Sequence, residues 1–255
     1  MEFLTLTKEG NAAFIKMERP PANALSKALI GELATVLDSI EEDTSVRAVL
    51  IYGEGRFFSA GADIKEFTTI TSGEDFARLS EHGQKVFERM ENFPKPIVAA
   101  IHGAALGGGL ELAMACHIRL VGENAKLGLP ELQLGLIPGF AGTQRLPRYV
   151  GAAKAAEMLF TSEPITGEEA VQFGLANRAY PEEQLMDKAR EMVQNISRKS
   201  PQSLKAVIEL LKYEKTAQFY EGVKEEAQKF GEVFVSENGQ EGIRAFIDKR
   251  PPEFK

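Results

Sequence analysis

Two runs, Arg47–Tyr52 (RAVLIY) and Pro96–Ile101 (PIVAAI), are apolar almost from end to end. A strand with one wet face alternates polar and apolar side chains, and these two do not. Both faces of each strand are therefore expected to be covered. Between them lies a helical stretch, Glu74–Asn92, with Phe76, Leu79, Val86, Phe87 and Met90 along one side. Buried strands connected through a helix pair in parallel, which commits the chain to an α/β fold.

The remaining pattern extends this rhythm. Phe3–Thr7 and Ala12–Glu18 read as strands joined by the turn Lys8–Asn11. Ser26–Glu42 reads as a helix with Leu29, Leu33, Val36, Leu37 and Ile40 on one stripe. Gly53–Gly61 reads as a loop, His102–Gly108 as a turn, Gly109–Ala115 as a helix and His117–Val121 as a strand. Leu175–Tyr180 is the last strand pattern. Helices are expected at Pro181–Arg198, Pro201–Glu214, Thr216–Val235 and near Gln240–Lys249. This divides the chain into an α/β core, residues 1–195, and a helical C-terminal region, residues 196–255. The latter carries an apolar stripe of Leu204, Val207, Ile208 and Leu211 with too little chain around it to bury it, so packing between subunits is expected.

Composition narrows the function classes. Of 255 residues, 44% are hydrophobic and 26% charged, which excludes a collagen-like or disordered chain. The single cysteine, Cys116, allows no internal disulfide. A net charge of −7 disfavours a broad nucleic-acid footprint, so an anionic ligand must be met by local donors. The start, MEFLTLTKEG, has neither a basic nor an apolar leader region, and the longest apolar run, Pro96–Leu112, is broken by glycines and His102. No membrane association is expected; a cytoplasmic protein fits, as does the mature form of an organellar one. The glycine triplet Gly107–Gly109 fails the G-x-G-x-x-G spacing, and no phosphate loop, H-E-x-x-H or G-x-S-x-G occurs. His82, His102 and His117 are scattered, and no Cys/His cluster suggests a metal.

Four segments carry possible chemistry. In Arg56–Phe67 (RFFSAGADIKEF) small residues let a ligand approach the backbone, and a helical turn starting at Asp63 leaves the Ala62 amide without a partner. In Ile101–Ala113 (IHGAALGGGLELA) three consecutive glycines open a helix, and Glu111 sits among apolar neighbours, either on one wet face or buried for a purpose. In Leu127–Leu136 (LGLPELQLGL) Pro130 keeps Leu129 extended and Glu131 is again a lone acid. In Ile137–Leu146 (IPGFAGTQRL) a rigid turn leaves the Gly139 amide free. Read singly, each segment is also an ordinary turn or helix start. Together they supply backbone donors and two isolated carboxyls, the means to stabilise an oxyanion while moving protons.

These segments resemble the signature of the enoyl-CoA hydratase/isomerase superfamily, the crotonases. The matching strings are FFSAGADIKEF, PIVAAIHGAALGGGLELAMAC, AKLGLPELQLGLIPGFAGTQRL and GIRAFIDKRPPEF, in the family's order along nearly the whole chain. The resemblance implies a spiral of ββα units, a helical C-terminal region used in trimerisation, and acyl-CoA thioester substrates. It implies that Ala62 and Gly108 supply the oxyanion-hole amides, that Glu111 and Glu131 are the paired catalytic acids, and that Gly139 donates near the catalytic water. It places Ala60, Ile64 and Lys65 at the nucleotide end of coenzyme A, with Phe246 and Lys249 reaching it from the same or a neighbouring subunit. The acyl pocket is expected along Phe67–Phe87.

Two glutamates favour the hydratase branch: water adds across the C2=C3 bond of a 2-enoyl-CoA, Glu111 acting mainly on the water and Glu131 on the C2 proton. Burial is expected to raise the pKa of at least one of them. No metal or redox cofactor is implied, coenzyme A being part of the substrate. The alternatives are an enoyl-CoA isomerase, a branched or aromatic-pathway hydratase, or a non-catalytic acyl-CoA or RNA-binding module on the same scaffold. Self-association as a trimer or a dimer of trimers is the expected assembly.

Overall fold

The computed structural model describes residues 1–68, 72–211 and 217–253, the side chains of residues 217 and 218 excepted. The chain opens with a hairpin, β1 (Leu4–Glu9) and β2 (Ala12–Met17), turned at Gly10 and Asn11. Helix α1 (Lys27–Glu42) follows, capped by Ser26, whose hydroxyl accepts from the Leu29 amide. Strands β3 (Ala48–Gly53) and β4 (Ile97–Ile101) flank α2 (Ile64–Phe67) and α3 (Gly73–Glu91). Then come β5 (Ala104–Leu106), α4 (Gly108–Met114), β6 (Ile118–Gly122), β7 (Lys126–Gly128) and a 3-10 turn, Glu131–Leu134. Helix α5 (Gly142–Thr161), β8 (Ile165–Thr166), α6 (Gly167–Gln172), β9 (Arg178–Tyr180) and α7 (Glu182–Ser197) complete the α/β part. Three helices end the chain: α8 (Pro201–Leu211), α9 (Ala217–Phe234) and α10 (Glu237–Ile247).

The main sheet runs β1-β2-β3-β4-β6-β9, parallel throughout except for β1. Its inner strands β2, β3, β4 and β6 are buried on both faces, as RAVLIY and PIVAAI require, while the edge strands β1 and β9 are partly exposed. Phe14, Leu50, Val98 and Ile118 stand in register across one face and pack against Leu185, Ala189 and Val193 of α7. Their neighbours Ile15, Val49, Ile51, Ile97 and Ala99 point the other way into the larger core, with α1, α3 and α4.

The second sheet, β5-β7-β8, was not expected, because its strands have only two or three residues each. The stretch read as the turn His102–Gly108 contains β5. Gly103 makes the corner from β4 to β5 with φ +58, and any side chain there would overlap the Arg56 carbonyl. Strand, short strand and helix thus repeat as β4-β5-α4 and β6-β7-3-10 turn, the expected spiral of ββα units. Long helix α5 and short α6 were not expected either; α5 is broken at Gly151, which hides its periodicity.

The C-terminal helices do not stand apart from the core. Phe76 of α3 stacks on Phe234 and Phe230 of α9, with ring centroids 3.7 and 4.6 Å apart. Leu136 and Ile243 join this third cluster. In α8, Ile208 is buried while Val207 and Leu211 remain exposed. The helix ends expected at Glu214 and Thr216 lie outside the described residues. No helix among the described residues is long and apolar enough to cross a membrane.

Candidate active site

Three segments converge where the strands of the second sheet end. Ser59 pairs in parallel with Ala105 of β5, and Ala62 with Leu25 just before α1, so the 59–62 segment runs between the two. The Gly107 amide donates to the Gly128 carbonyl (2.9 Å), tying the end of β5 to the end of β7. Beyond these ties lie Ala62, Gly108 and Glu131.

Asp63 caps α2, its Oδ1 accepting from the Lys65 amide (3.1 Å), and Arg19 holds its other oxygen at 2.5 Å. This fixes the peptide before it, and the Ala62 amide finds no acceptor among the described residues. Gly108 starts α4, so its amide precedes the helical ladder and is likewise without an acceptor among them. A methyl group added at Gly108 would stand 3.4 Å from the Ala62 nitrogen, so the two amides are neighbours. The structure brings together the two donors expected to form an oxyanion hole.

Glu111 lies in the first turn of α4 and is 1% exposed, which settles the alternative left open by sequence in favour of burial. Its Oε1 accepts from the amides of Phe140 (2.8 Å) and Gly142 (2.7 Å). Glu131 begins the 3-10 turn; it is half-buried, and its Oε2 is shut off from solvent and has no hydrogen-bond partner among the described residues. Gly107, at φ +51, admits Glu131 to the start of α4: a methyl group there would be 3.0 Å from Glu131 Oε1. Burial raises the Glu111 pKa well above the usual carboxylate range, and the charges of Glu131 and Glu226 add to it against the two amides. Burial likewise pushes Glu131 up to about 8, with Glu226 adding to it. A proton-holding acid beside a buried partner is suited to moving protons near neutral pH.

Gly139 lies beside the acids but is held by its carbonyl, which accepts from the Ser80 hydroxyl and from Gln84 Nε2 (3.1 Å). Ala60 and Lys65 are exposed on either side of the 61–64 segment, and Ile64 packs partly into the cluster of Phe67, Phe76 and Phe230. Phe67 and Phe76, expected along the acyl pocket, are buried in that cluster, and residues 69–71 of the same stretch lie outside the described residues. Phe246 and Lys249 stand exposed at the end of α10, and among the described residues no hydrogen bond or ion pair links them to Ala60, Ile64 or Lys65. Among these residues no group of acids, histidines and cysteine is arranged to hold a metal ion.

Sequence reasoning missed Glu226 of α9. Its carboxylate is 4% exposed and accepts from the Ala141 amide, from the Thr143 amide (2.9 Å) and hydroxyl, and from Gln84 Nε2 (3.3 Å). It lies four residues before Phe230 on the buried face of α9 while its neighbour Glu225 is exposed, and nothing in the sequence separates the two acids. Gly142, Ser80 and Gln84 carried no signal of their own.

The comparisons with known proteins agree with this geometry. A family model described as enoyl-CoA hydratase/isomerase matches residues 7–255. A probable enoyl-CoA hydratase of Bacillus subtilis (strain 168) is 56% identical over 257 residues, covering 100% of this chain and 99% of the relative. A short-chain-enoyl-CoA hydratase of Clostridium acetobutylicum is 40% identical, covering 97% of this chain and 95% of the relative. The crystal structure of an enoyl-CoA hydratase from Bacillus anthracis superposes with a TM-score of 0.79 at 34% identity, covering 99% of this chain and 98% of the other. This chain belongs to the enoyl-CoA hydratase/isomerase family.

Proposed function

We propose that the chain hydrates 2-enoyl-CoA thioesters to 3-hydroxyacyl-CoA, with Glu111 and Glu131 as the acid–base pair. The observation that carries this reading is the pair itself: the buried Glu111 and the half-buried Glu131, whose Oε2 is shut off from solvent, beside two adjacent amides that find no acceptor among the described residues. Glu111, as carboxylate, takes a proton from water while the hydroxide oxygen bonds to C3. The electron pair of the double bond moves toward the thioester carbonyl, and the enolate oxygen lies against the Ala62 and Gly108 amides. Glu131, as carboxylic acid, gives its proton to C2. Proton exchange within the coupled pair then restores the starting state. Each amide donor of this kind is worth about 10²–10³ in rate.

The same reading assigns Ala60, Ile64 and Lys65 to the nucleotide end of coenzyme A, with Phe246 and Lys249 approaching it. The Gly139 amide takes part in holding the water. The reaction so written draws on no metal or redox group. The exposed Val207, Leu210 and Leu211 of α8 support a subunit contact, in a trimer or a dimer of trimers. A cytoplasmic setting belongs to the same proposal. The test is a spectrophotometric assay with crotonyl-CoA and longer 2-enoyl-CoA thioesters. Turnover with at least one supports the reading, and acyl-CoA binding without turnover contradicts it.

A further inference from the structure

Residues 140–143 present four successive amides, and two carboxylates divide them. Phe140 and Gly142 donate to Glu111; Ala141 and Thr143 donate to Glu226. The turn is one that a side-chain-bearing residue adopts reluctantly, since Ala141 sits in the left-handed region at φ +67. Ala141 is the N-cap of α5 yet offers no side-chain cap of its own. Glu226 supplies that cap from α9, and the Thr143 hydroxyl and Gln84 Nε2 complete its partners.

Resting on the proposed hydration, we propose that Glu226 is a positioning residue for Glu111: by gripping Ala141 and Thr143 it aims the Phe140 and Gly142 amides at the Glu111 carboxylate. The C-terminal helix α9 is thereby part of the catalytic apparatus, reaching the turn across 85 residues of sequence. Arg145 braces the same turn, its Nη1 donating to the Phe140 carbonyl at 2.5 Å and its Nε to Glu91 at 3.0 Å. Burial brings Glu226 up to about 7, against the Thr143 hydroxyl, the Thr143 and Ala141 amides and, least, the charge of Arg145, all of which favour the carboxylate. Glu226 accepts from neither of the two oxyanion amides; its hydrogen bonds reach the reaction through the turn that holds Glu111, and its charge also raises the pKa of Glu111 and Glu131.

The near-isosteric Glu226→Gln replaces one acceptor oxygen by a donor and leaves one amide of the turn unanswered. Crotonyl-CoA kinetics and hydrogen exchange of the 139–143 amides are measured together. A kcat lowered about 10-fold or more is expected, the size of one hydrogen bond to a charged group, with KM within about twofold. Protection at residues 139–143 is expected to fall while that of β3 and β4 is unchanged. Thr143→Val, which removes only the hydroxyl donor, is expected to show the same kcat loss on a smaller scale, and to add little to Glu226→Gln. An unchanged kcat in folded Glu226→Gln overturns the proposal, as does a lowered kcat with unchanged exchange at the turn. If Glu226→Gln does not fold, Thr143→Val decides by the same two readouts. Hydration by the wild-type chain is the control: its absence contradicts the proposed function, and the exchange readout still decides whether Glu226 holds the turn.

Discussion

A methyl group added at the Gly142 α-carbon would stand 2.7 Å from Glu111 Oε1, the same oxygen to which the Gly142 amide donates at 2.7 Å. The hydrogen bond exists because no side chain intervenes. Gly142→Ala keeps a helical residue at the start of α5 but pushes the carboxylate aside. A kcat reduced roughly 100-fold is expected, the scale for a catalytic group misplaced by about 1 Å. Thermal stability is expected to change little, since alanine favours a helix by about 1 kcal/mol over glycine. Steady-state kinetics beside a thermal melt check this, and wild-type turnover in a folded variant contradicts it.

Glu111, Glu131 and Glu226 hold their protons more tightly than a free glutamate, chiefly through burial. In the unfolded chain each ionises at about 4.3. Between that pH and the raised native values the folded state binds more protons, so these groups withdraw stability as pH rises. Glu131→Gln removes one of them. Its melting temperature minus that of the wild type is expected to grow between about pH 5 and about pH 9. A gap that shrinks over this range contradicts the raised Glu131 pKa.

Proline at Gly108 removes the amide next to that of Ala62. Gly108→Pro is expected to lose hydration by at least the 10²–10³ typical of one oxyanion donor. Gly108→Ala is the control, since it keeps the N–H; its added carbon crowds the Phe140 ring at 3.1 Å and stands in ordinary contact, 3.4 Å, with the Ala62 nitrogen, so a smaller loss than for proline is expected. A folded, fully active Gly108→Pro rules that amide out.

Lys249 is exposed just past α10, at φ +54. Lys249→Glu is expected to raise KM for crotonyl-CoA more than it lowers kcat, because a phosphate contact is remote from the reacting carbons. An unchanged KM removes Lys249 from the coenzyme A site. Light scattering is expected to return a trimer or a dimer of trimers, and a monomer contradicts the assembly proposed through α8.

The sequence was most legible where a single element decides the outcome. RAVLIY and PIVAAI read as doubly buried strands because neither face carries a polar alternation, and both are central strands. Glu111 and Glu131 stood out as acids in apolar runs. The second sheet was illegible because two- and three-residue strands have no period. Glu226 was illegible for another reason. One acid in a charged, amphipathic helix looks like a solvated face until tertiary packing turns it inward, and its partners lie 83 to 142 residues away. The role of Gly142 depends likewise on what faces it.

The central claim is that Glu111 and Glu131 act as one unit on the same addition, and a double-mutant cycle tests it most directly. Crotonyl-CoA hydration is measured for wild type, Glu111→Gln, Glu131→Gln and the double variant, with binding followed separately. Each single variant is expected to lose roughly three or more orders of magnitude in kcat, and the double variant to lose little more, as groups acting as a unit do. Affinity for crotonyl-CoA is expected to stay within about threefold, because neither acid binds the nucleotide. Near wild-type turnover in either single variant, or losses that multiply, contradicts the paired mechanism.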